Sequence, residues 1–468
     1  MAEISAQKRI WGWIAFDWAT QPFYTLLLTF IFGPYFAAIA TQTLMDSGLT
    51  EQVADARAQS MWSLGQTVSG LFIAFSAPLL GAVADSAGKK MPWIVAFSIM
   101  YVGGAWALWG MTPDGSGLWF ALIAFGIAFV GAEFALIFAN SILPSLGDDA
   151  EVGHLSGKGA SIGYWGGVAS LLIMLTLFAE NETGKTLIGI DPLFGLDADQ
   201  REGTRFVGPF VAMWYLIFMI PFFLWVRETP KTRAPGDKIG DALGQLKTTL
   251  RNILKRRSLA AYLLSSMFYR DALNALYGFG GVYATLVLNW SIIMIGVFGI
   301  VGAITAAIAT YIGGLCDRRF GPKPVIIASI FVLIAVCTVI VGMSRETLFG
   351  VPLAPGSTLP DIIFYVCGAA IGGAGGALYA ASRSMMVRHA NPDRPTEAFG
   401  LFALSGKATA FLAPALIGIV SYLSNSPRLG ISPVILLFLI GLYLLRWVEP
   451  EGDRKTWFGP SQKSPQPS

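Results

Sequence analysis

The sequence predicts an all-α integral membrane fold, with twelve transmembrane helices arranged as two six-helix, pseudo-symmetric bundles. Three observations carry this. Hydrophobic residues make up 54% of the 468-residue chain and charged residues 13%, a balance unsuited to a water-soluble domain. Apolar runs of about 20 residues, enough helix to cross a hydrocarbon core, recur along the whole chain. The third observation is an internal echo between the two halves, the mark of a duplicated membrane unit.

The echo lies between residues 131–167 and 372–418. Gly131-Ala132-Glu133-Phe134-Ala135 matches Gly376-Ala377-Leu378-Tyr379-Ala380, and Ser156-Gly157-Lys158 matches Ser405-Gly406-Lys407. Each copy runs from a small-residue helix through a short polar turn into a second helix that carries Ser-Gly-Lys. Lys407 stands about ten residues into its helix, which is about 15 Å of rise and so close to the midplane. A charge at that depth is costly and marks a function or an obligatory ion pair.

Taken in order, the spans are expected at 11–39, 61–84, 92–111, 118–144, 154–179, 206–226, 259–288, 291–316, 324–343, 361–386, 398–422 and 431–448. Residues 1–226 then form an N-terminal six-helix bundle and 259–448 a C-terminal one. A basic linker, 227–258, joins them, and a tail, 449–468, follows. Within the linker, residues 239–257 could form a basic amphipathic helix on the membrane surface. The acidic, glycine-rich loop at 180–205 is too short for a separate domain.

Lysine and arginine in the connections orient the chain. Lys8, Arg9, Lys89, Lys90, Arg318, Arg319, Lys323, Arg388, Arg394, the linker's basic residues and Arg454, Lys455 and Lys463 all fall on the N-terminal side. The opposite side holds Arg57, Lys185, Arg201, Arg205, Arg345 and Arg428. Both termini are therefore expected in the cytoplasm. Lys8 and Arg9 lead into a full-length span rather than a cleavable signal layout. Cys316, Cys337 and Cys367 sit in or beside apolar runs, so no disulfide framework is expected. Two histidines exclude a histidine-based metal site. No cofactor and no nucleic-acid partner are expected. The expected surroundings are a lipid bilayer, and the sequence sets no oligomeric state.

Span 2 ends in Gly81-Ala-Val-Ala-Asp85-Ser-Ala-Gly88-Lys89-Lys90, and span 8 ends in Gly313-Gly-Leu-Cys-Asp317-Arg318-Arg319. A glycine four residues before each aspartate allows close helix contact. Each aspartate can accept bonds from the unpaired N–H groups of a neighbouring helix start, and the adjacent cations can pair with it. Such a latch holds helices together in one conformation and releases them in another. Arg383, near the same end of span 10, belongs to this gate. The pattern resembles the loop motif of the major facilitator superfamily, with Ser86 standing where a basic residue usually follows the aspartate.

Within that superfamily, the chain resembles the vacuolar amino-acid effluxers associated with autophagy and their bacterial relatives. The resemblance rests on Phe16-Asp17-Trp18-Ala19, Thr29-Phe30-Ile31-Phe32-Gly33-Pro34-Tyr35-Phe36, Asn140-Ser-Ile-Leu-Pro144, Gly163-Tyr-Trp-Gly-Gly167, Ser382-Arg-Ser384 and the run Phe399 to Lys407. It implies the major facilitator fold, in which spans 1, 4, 7 and 10 line a cavity and spans 3, 6, 9 and 12 face lipid. It also implies the inner cell membrane in a bacterium, or the vacuolar membrane in a eukaryote.

Independently of that resemblance, Asp17, Thr20, Gln21 and Tyr24 make one polar stripe on span 1. Glu133 and Asn140 begin another on span 4. Arg270, Asp271 and Asn274 sit in span 7, with neighbours Arg270 and Asp271 pointing about 100° apart and unable to pair with each other. Asp17, Glu133 and Asp271 are the candidates to carry a proton. They balance Lys158, Arg270 and Lys407, which suits a small zwitterion. For Arg270 and Lys158 a purely structural ion pair stays an open alternative, and for Lys407 the partners to weigh are Asp17 and Asp271.

These residues point to a secondary active transporter that moves a small solute by alternating access. An amino acid or similar zwitterion is the first cargo, with export and proton coupling expected. The alternatives are a sugar or drug-like solute, or a non-transporting receptor or scaffold of the same fold. No Walker A sequence offers direct ATP drive, and no nucleophile–base pair points to an enzyme.

Overall fold

The computed structural model describes residues 4–181, 183–228, 256–288, 290, 292–410, 412–424 and 426–452. Most of the expected linker, including most of its surface helix, and all of the tail from 453 on lie outside these residues. The described chain is almost entirely helical. In order it forms α1 (Ala6–Pro22), a π-helix (Phe23–Phe30), α2 (Phe32–Asp46), α3 (Glu51–Ala87), α4 (Met91–Ala107), α5 (Leu118–Asn140) and α6 (Asp149–Leu177). There follow α7 (Val207–Phe218), α8 (Ile220–Trp225), α9 (Arg257–Leu288), α10 (Ile292–Phe320), α11 (Pro322–Gly342), α12 (Leu359–His389), α13 (Pro395–Ala408), α14 (Leu412–Ser424) and α15 (Ser432–Leu444).

Among the described residues, ten helical stretches are long and apolar enough to cross a membrane. They match ten of the twelve expected spans. The other two are not among the ten: α9 stands where span 7 is expected, and α13 and α14 stand where span 11 is expected. A two-residue antiparallel hairpin, Thr347–Leu348 with Val351–Pro352, decorates the loop after α11 and has no counterpart among the expected elements.

Span 1 is not the continuous helix expected over 11–39. Pro22 has no N–H, so the carbonyl of Trp18 loses its usual helical partner. The indole Nε1 of Trp214 donates to that carbonyl instead, at 3.1 Å. The backbone beyond Pro22 widens into the π-helix, and Ile31 (φ −122°, ψ −65°) breaks the run before α2 begins. A π-turn inside a membrane span commonly marks a functional position.

The chain forms two compact units. Unit 1 is Met1–Ser76, Lys89–Ala139 and Ile162–Lys231, and unit 2 is Ala77–Gly88, Asn140–Ser161 and Thr232–Ser468. Two short pieces of the first half, the end of α3 and the α5–α6 turn, thus group with unit 2. In unit 1, Phe23 stacks on Phe125 and Phe129 and tilts against Tyr101, fixing the π-helix on α4 and α5. The indole of Trp13 donates to the Ala139 carbonyl at 2.9 Å. In unit 2, Gly372 of α12 lies so close to the Gly302 backbone of α10 that no side chain would fit between them. Small residues let membrane helices approach in this way.

Candidate functional site

In unit 1 the stripe expected on span 1 is a real face, and it is buried. Asp17 is 7% exposed, Thr20 is buried, and Gln21 and Tyr24 are half-buried. Thr20 turns its hydroxyl back onto the Phe16 carbonyl at 2.9 Å. The Tyr24 hydroxyl, on the first turn of the π-helix, donates to Glu133 Oε1 of α5 at 3.3 Å. Span 5 closes over this face through three glycines. A Cβ at Gly163 would stand 3.1 Å from the Asp17 carbonyl, one at Gly166 2.9 Å from the Trp18 carbonyl, and one at Gly167 2.9 Å from Gln21 Cγ. The Gly-x-x-Gly-Gly spacing therefore brings the α6 backbone down onto the polar stripe. Asp17, Gln21 and Tyr24 share one face of span 1, and Tyr24, just past the change from α- to π-helix, ties that face to Glu133.

In unit 2 the two aspartates of the repeated loop motif behave differently. The backbone N–H of Glu397, in the first turn of α13, donates to Asp85 Oδ2 at 2.8 Å. That is the helix-start bond expected of the latch. Gly81 makes it possible, since its Cβ position is 2.6 Å from the Thr396 carbonyl oxygen. The Thr396 hydroxyl in turn donates to Ser141 at 3.1 Å. Asp317 does not make the corresponding bond. Its side chain is pressed against Gly153 of α6, and the residue is 1% exposed. Neither of its carboxylate oxygens meets a hydrogen-bond partner among the described residues. The cations expected beside it, Arg318 and Arg319, are exposed, and the Arg319 guanidinium lies over the Phe320 ring. Gly313 stands as expected, its Cβ position 2.9 Å from Ala377 Cβ.

Arg383 is 1% exposed. Its Nε donates to Ser156 Oγ at 2.9 Å, its NH2 group to the Ser156 carbonyl, and its NH1 group to Asn140 Oδ1 at 3.2 Å. The Ser156 hydroxyl donates onward to the Ala380 carbonyl at 2.8 Å. Asn140, expected in the span 4 stripe with Glu133, instead belongs to this Arg383 network, because it sits at the last residue of α5, where the helix ends. A buried guanidinium needs its N–H groups satisfied, and here Asn140 at the end of α5 and Ser156 of α6, on either side of the polar turn, satisfy them.

Arg270 and Asp271 both reach span 11. Arg270 NH1 donates to the Phe402 carbonyl at 2.8 Å, with the guanidinium 4.1 Å over the Phe402 ring. Asp271, 2% exposed, accepts from the Ala413 N–H at 3.0 Å. Asn274 is exposed on the same helix. Lys158 is half-buried on α6 and engaged with a partner. Lys407 lies in α13, but its side chain is outside the described residues. In unit 1 the backbone N–H of Lys90 donates to Glu228 Oε1 at 2.7 Å, so Glu228 caps the start of α4, while Lys89 is exposed.

Several partners escape sequence reasoning. Glu228 and Ser156 carry no local signal of their role. Thr396 and Glu397 carry one, since they directly follow Pro395, a helix-start residue whose neighbours have unpaired amides.

The family described as "Vacuole effluxer Atg22 like" matches residues 148–456. The chain is 23% identical over 446 residues to the uncharacterized MFS-type transporter YxiO of Bacillus subtilis, covering 94% of each protein. It is also 23% identical over 322 residues to autophagy-related protein 22-2 of Neosartorya fischeri, covering 64% of this chain and 50% of that one. The chain thus spans about half the length of that fungal relative. Among solved structures, it resembles the human organic anion transporter MFSD10, with a TM-score of 0.68 at 13% identity over 95% of this chain and 100% of the other. The fucose:proton symporter FucP of E. coli gives 0.65 at 14% identity over 94% and 98%. Fold, repeated loop motif and matched residues converge: the chain belongs to the vacuole effluxer Atg22-like family, within the major facilitator transporters, and is a multi-pass membrane transport protein.

Proposed function

We propose that this chain is a secondary active transporter that exports a small zwitterion, an amino acid in the first instance, in exchange for protons. The observation that carries this reading is the face of span 1 that holds Asp17, Gln21 and Tyr24 and meets Glu133 through the Tyr24 hydroxyl. Two carboxyl groups at membrane depth supply anchors for an ammonium group and places for a proton. The change from α- to π-helix after Pro22, beside Gln21 and Tyr24, is the kind of irregular backbone at which transporters hold solute. The family's description as a vacuole effluxer supports movement of cargo out of a compartment.

In this reading the unit 2 contacts are the cytoplasmic gate. Asp85 on the start of α13, Asp317 against α6, and Arg383 on Asn140 and Ser156 join helix ends drawn from both halves of the chain. Breaking these contacts opens that side. In this reading both termini are cytoplasmic, in the inner membrane if the cell is bacterial and in the vacuolar membrane if it is eukaryotic.

Flux in proteoliposomes tests the reading. Purified protein is assayed against a panel of radiolabelled amino acids, with and without a pH gradient. Gradient-dependent movement of at least one amino acid is the expected result. Movement of sugars or lipophilic drugs alone would replace the cargo, and no movement of any solute would favour a receptor or scaffold.

A further inference from the structure

Span 11 is interrupted. α13 stops at Ala408 and α14 starts at Leu412, and Thr409 and Ala410 between them turn out of the helix at membrane depth. Backbone groups released at such a break need other partners, since each one left unsatisfied in hydrocarbon costs several kcal/mol, and the Leu412 N–H donates to the Thr409 carbonyl at 2.7 Å. Four contacts join α9 to the two half-helices, two of them, through Thr409 and Ala413, at the interruption itself and two on α13 before it. Asp271 takes the Ala413 N–H at 3.0 Å and Arg270 reaches the Phe402 carbonyl at 2.8 Å. The Thr409 hydroxyl donates to the Met267 carbonyl at 3.4 Å, and Ser266 meets Ser405 at 3.3 Å.

The charges are arranged by sign. Asp271 lies at the start of α14, the positive end of that helix dipole, and Arg270 lies over the later turns of α13, toward its negative end. Two neighbours that cannot pair with each other thus each find a complementary half-helix. Gly406 fits the arrangement, because a Cβ there would collide with the Arg270 guanidinium.

We propose that Arg270 and Asp271 are a pair of positioning residues that clamp the break in span 11 to span 7. They set where the Lys407-bearing segment stands, and Asp271 is not the coupling proton carrier. The effect on flux rests on the transport reading above, whereas the clamp itself can be tested without it.

The test is amide hydrogen exchange and flux on the full chain in lipid, for Asp271→Asn, Asp271→Ala and Gly406→Ala. Asparagine keeps an acceptor for the Ala413 N–H, so exchange over 412–416 should stay within about threefold of the parent. Alanine removes the acceptor and should raise it about tenfold or more. Gly406→Ala should displace the guanidinium and raise exchange over 400–408 while leaving 412–416 near the parent. It also keeps the clamp testable if Asp271→Ala does not fold. The flux probe is a radiolabelled mixture of the twenty common amino acids. Asp271→Asn should retain pH-gradient-driven flux within a few-fold, with the change in KM rather than kcat. Asparagine matching alanine in exchange would overturn the clamp. Loss of gradient-driven flux in Asp271→Asn, with exchange unchanged, would make Asp271 the proton carrier after all. Absence of flux in the parent would refute the cargo reading and leave the exchange result to decide the clamp.

Discussion

Removing the Asp85 carboxylate should open the start of α13 to exchange before it affects substrate binding. Asp85 Oδ2 holds the N–H of Glu397 at 2.8 Å, in the first turn of α13. Amides of a first helical turn have no carbonyl partner within their own helix, so this carboxylate is what protects that amide. A hydrogen bond to a charged group contributes about 1.5–3 kcal/mol, and the helix-start dipole is part of the same interaction. A loss of about 2 kcal/mol corresponds to about a 30-fold change in the open-to-closed ratio. Asp85→Asn keeps the acceptor without the charge and should lose about half of that, or about fivefold. Hydrogen exchange over 395–400 in nanodiscs measures both variants. Asp85→Ala should also slow transport while substrate affinity stays within a few-fold. Exchange within about twofold of the parent in Asp85→Ala would refute the argument, as would collapse of affinity at normal turnover.

Other contacts give sharper or opposite outcomes. Gly81→Ala places a methyl 2.6 Å from a backbone carbonyl that cannot swing away, so it should mimic Asp85→Ala in exchange over 395–400 and lower thermal stability by about 1–3 kcal/mol. Asp17→Asn should fold at parental yield and abolish or uncouple flux; parental flux of solute and protons would make Asp17 structural. Tyr24→Phe removes the donor to Glu133 Oε1 and should weaken substrate binding about tenfold, with Glu133→Gln weakening it further, read by substrate-induced thermal shift. Lys407→Ala should fold well and lose affinity. A strong loss of stability, restored by adding Asp271→Asn, would instead identify a buried ion pair, because stranding one charge typically costs about 3–5 kcal/mol.

Much of this protein is legible in the order of its amino acids. Apolar runs of about 20 residues dictate helices because a membrane leaves the backbone no other way to pair its own polar groups. Ten spans therefore stand where hydropathy puts them. Charge at depth is scarce, so its positions also stand out: Asp17 and Glu133 are readable as candidates from their cost alone. The repeated glycine–aspartate spacing likewise announces that Gly81 brings Asp85 close to another helix. What only the tertiary structure decides is which partner each group meets. Asp85 takes a helix start while its counterpart Asp317, with the same glycine–aspartate spacing, is sealed against Gly153. Asn140 serves Arg383 rather than the Glu133 stripe, and Arg270 and Asp271 reach opposite sides of a break in span 11 that hydropathy cannot register. Apolar periodicity reports how much of a helix is buried and says nothing of the register between helices far apart in the chain. A shift of one residue in that register exchanges one partner for another at no change in hydropathy, and the polar contacts that define this site are set by that register.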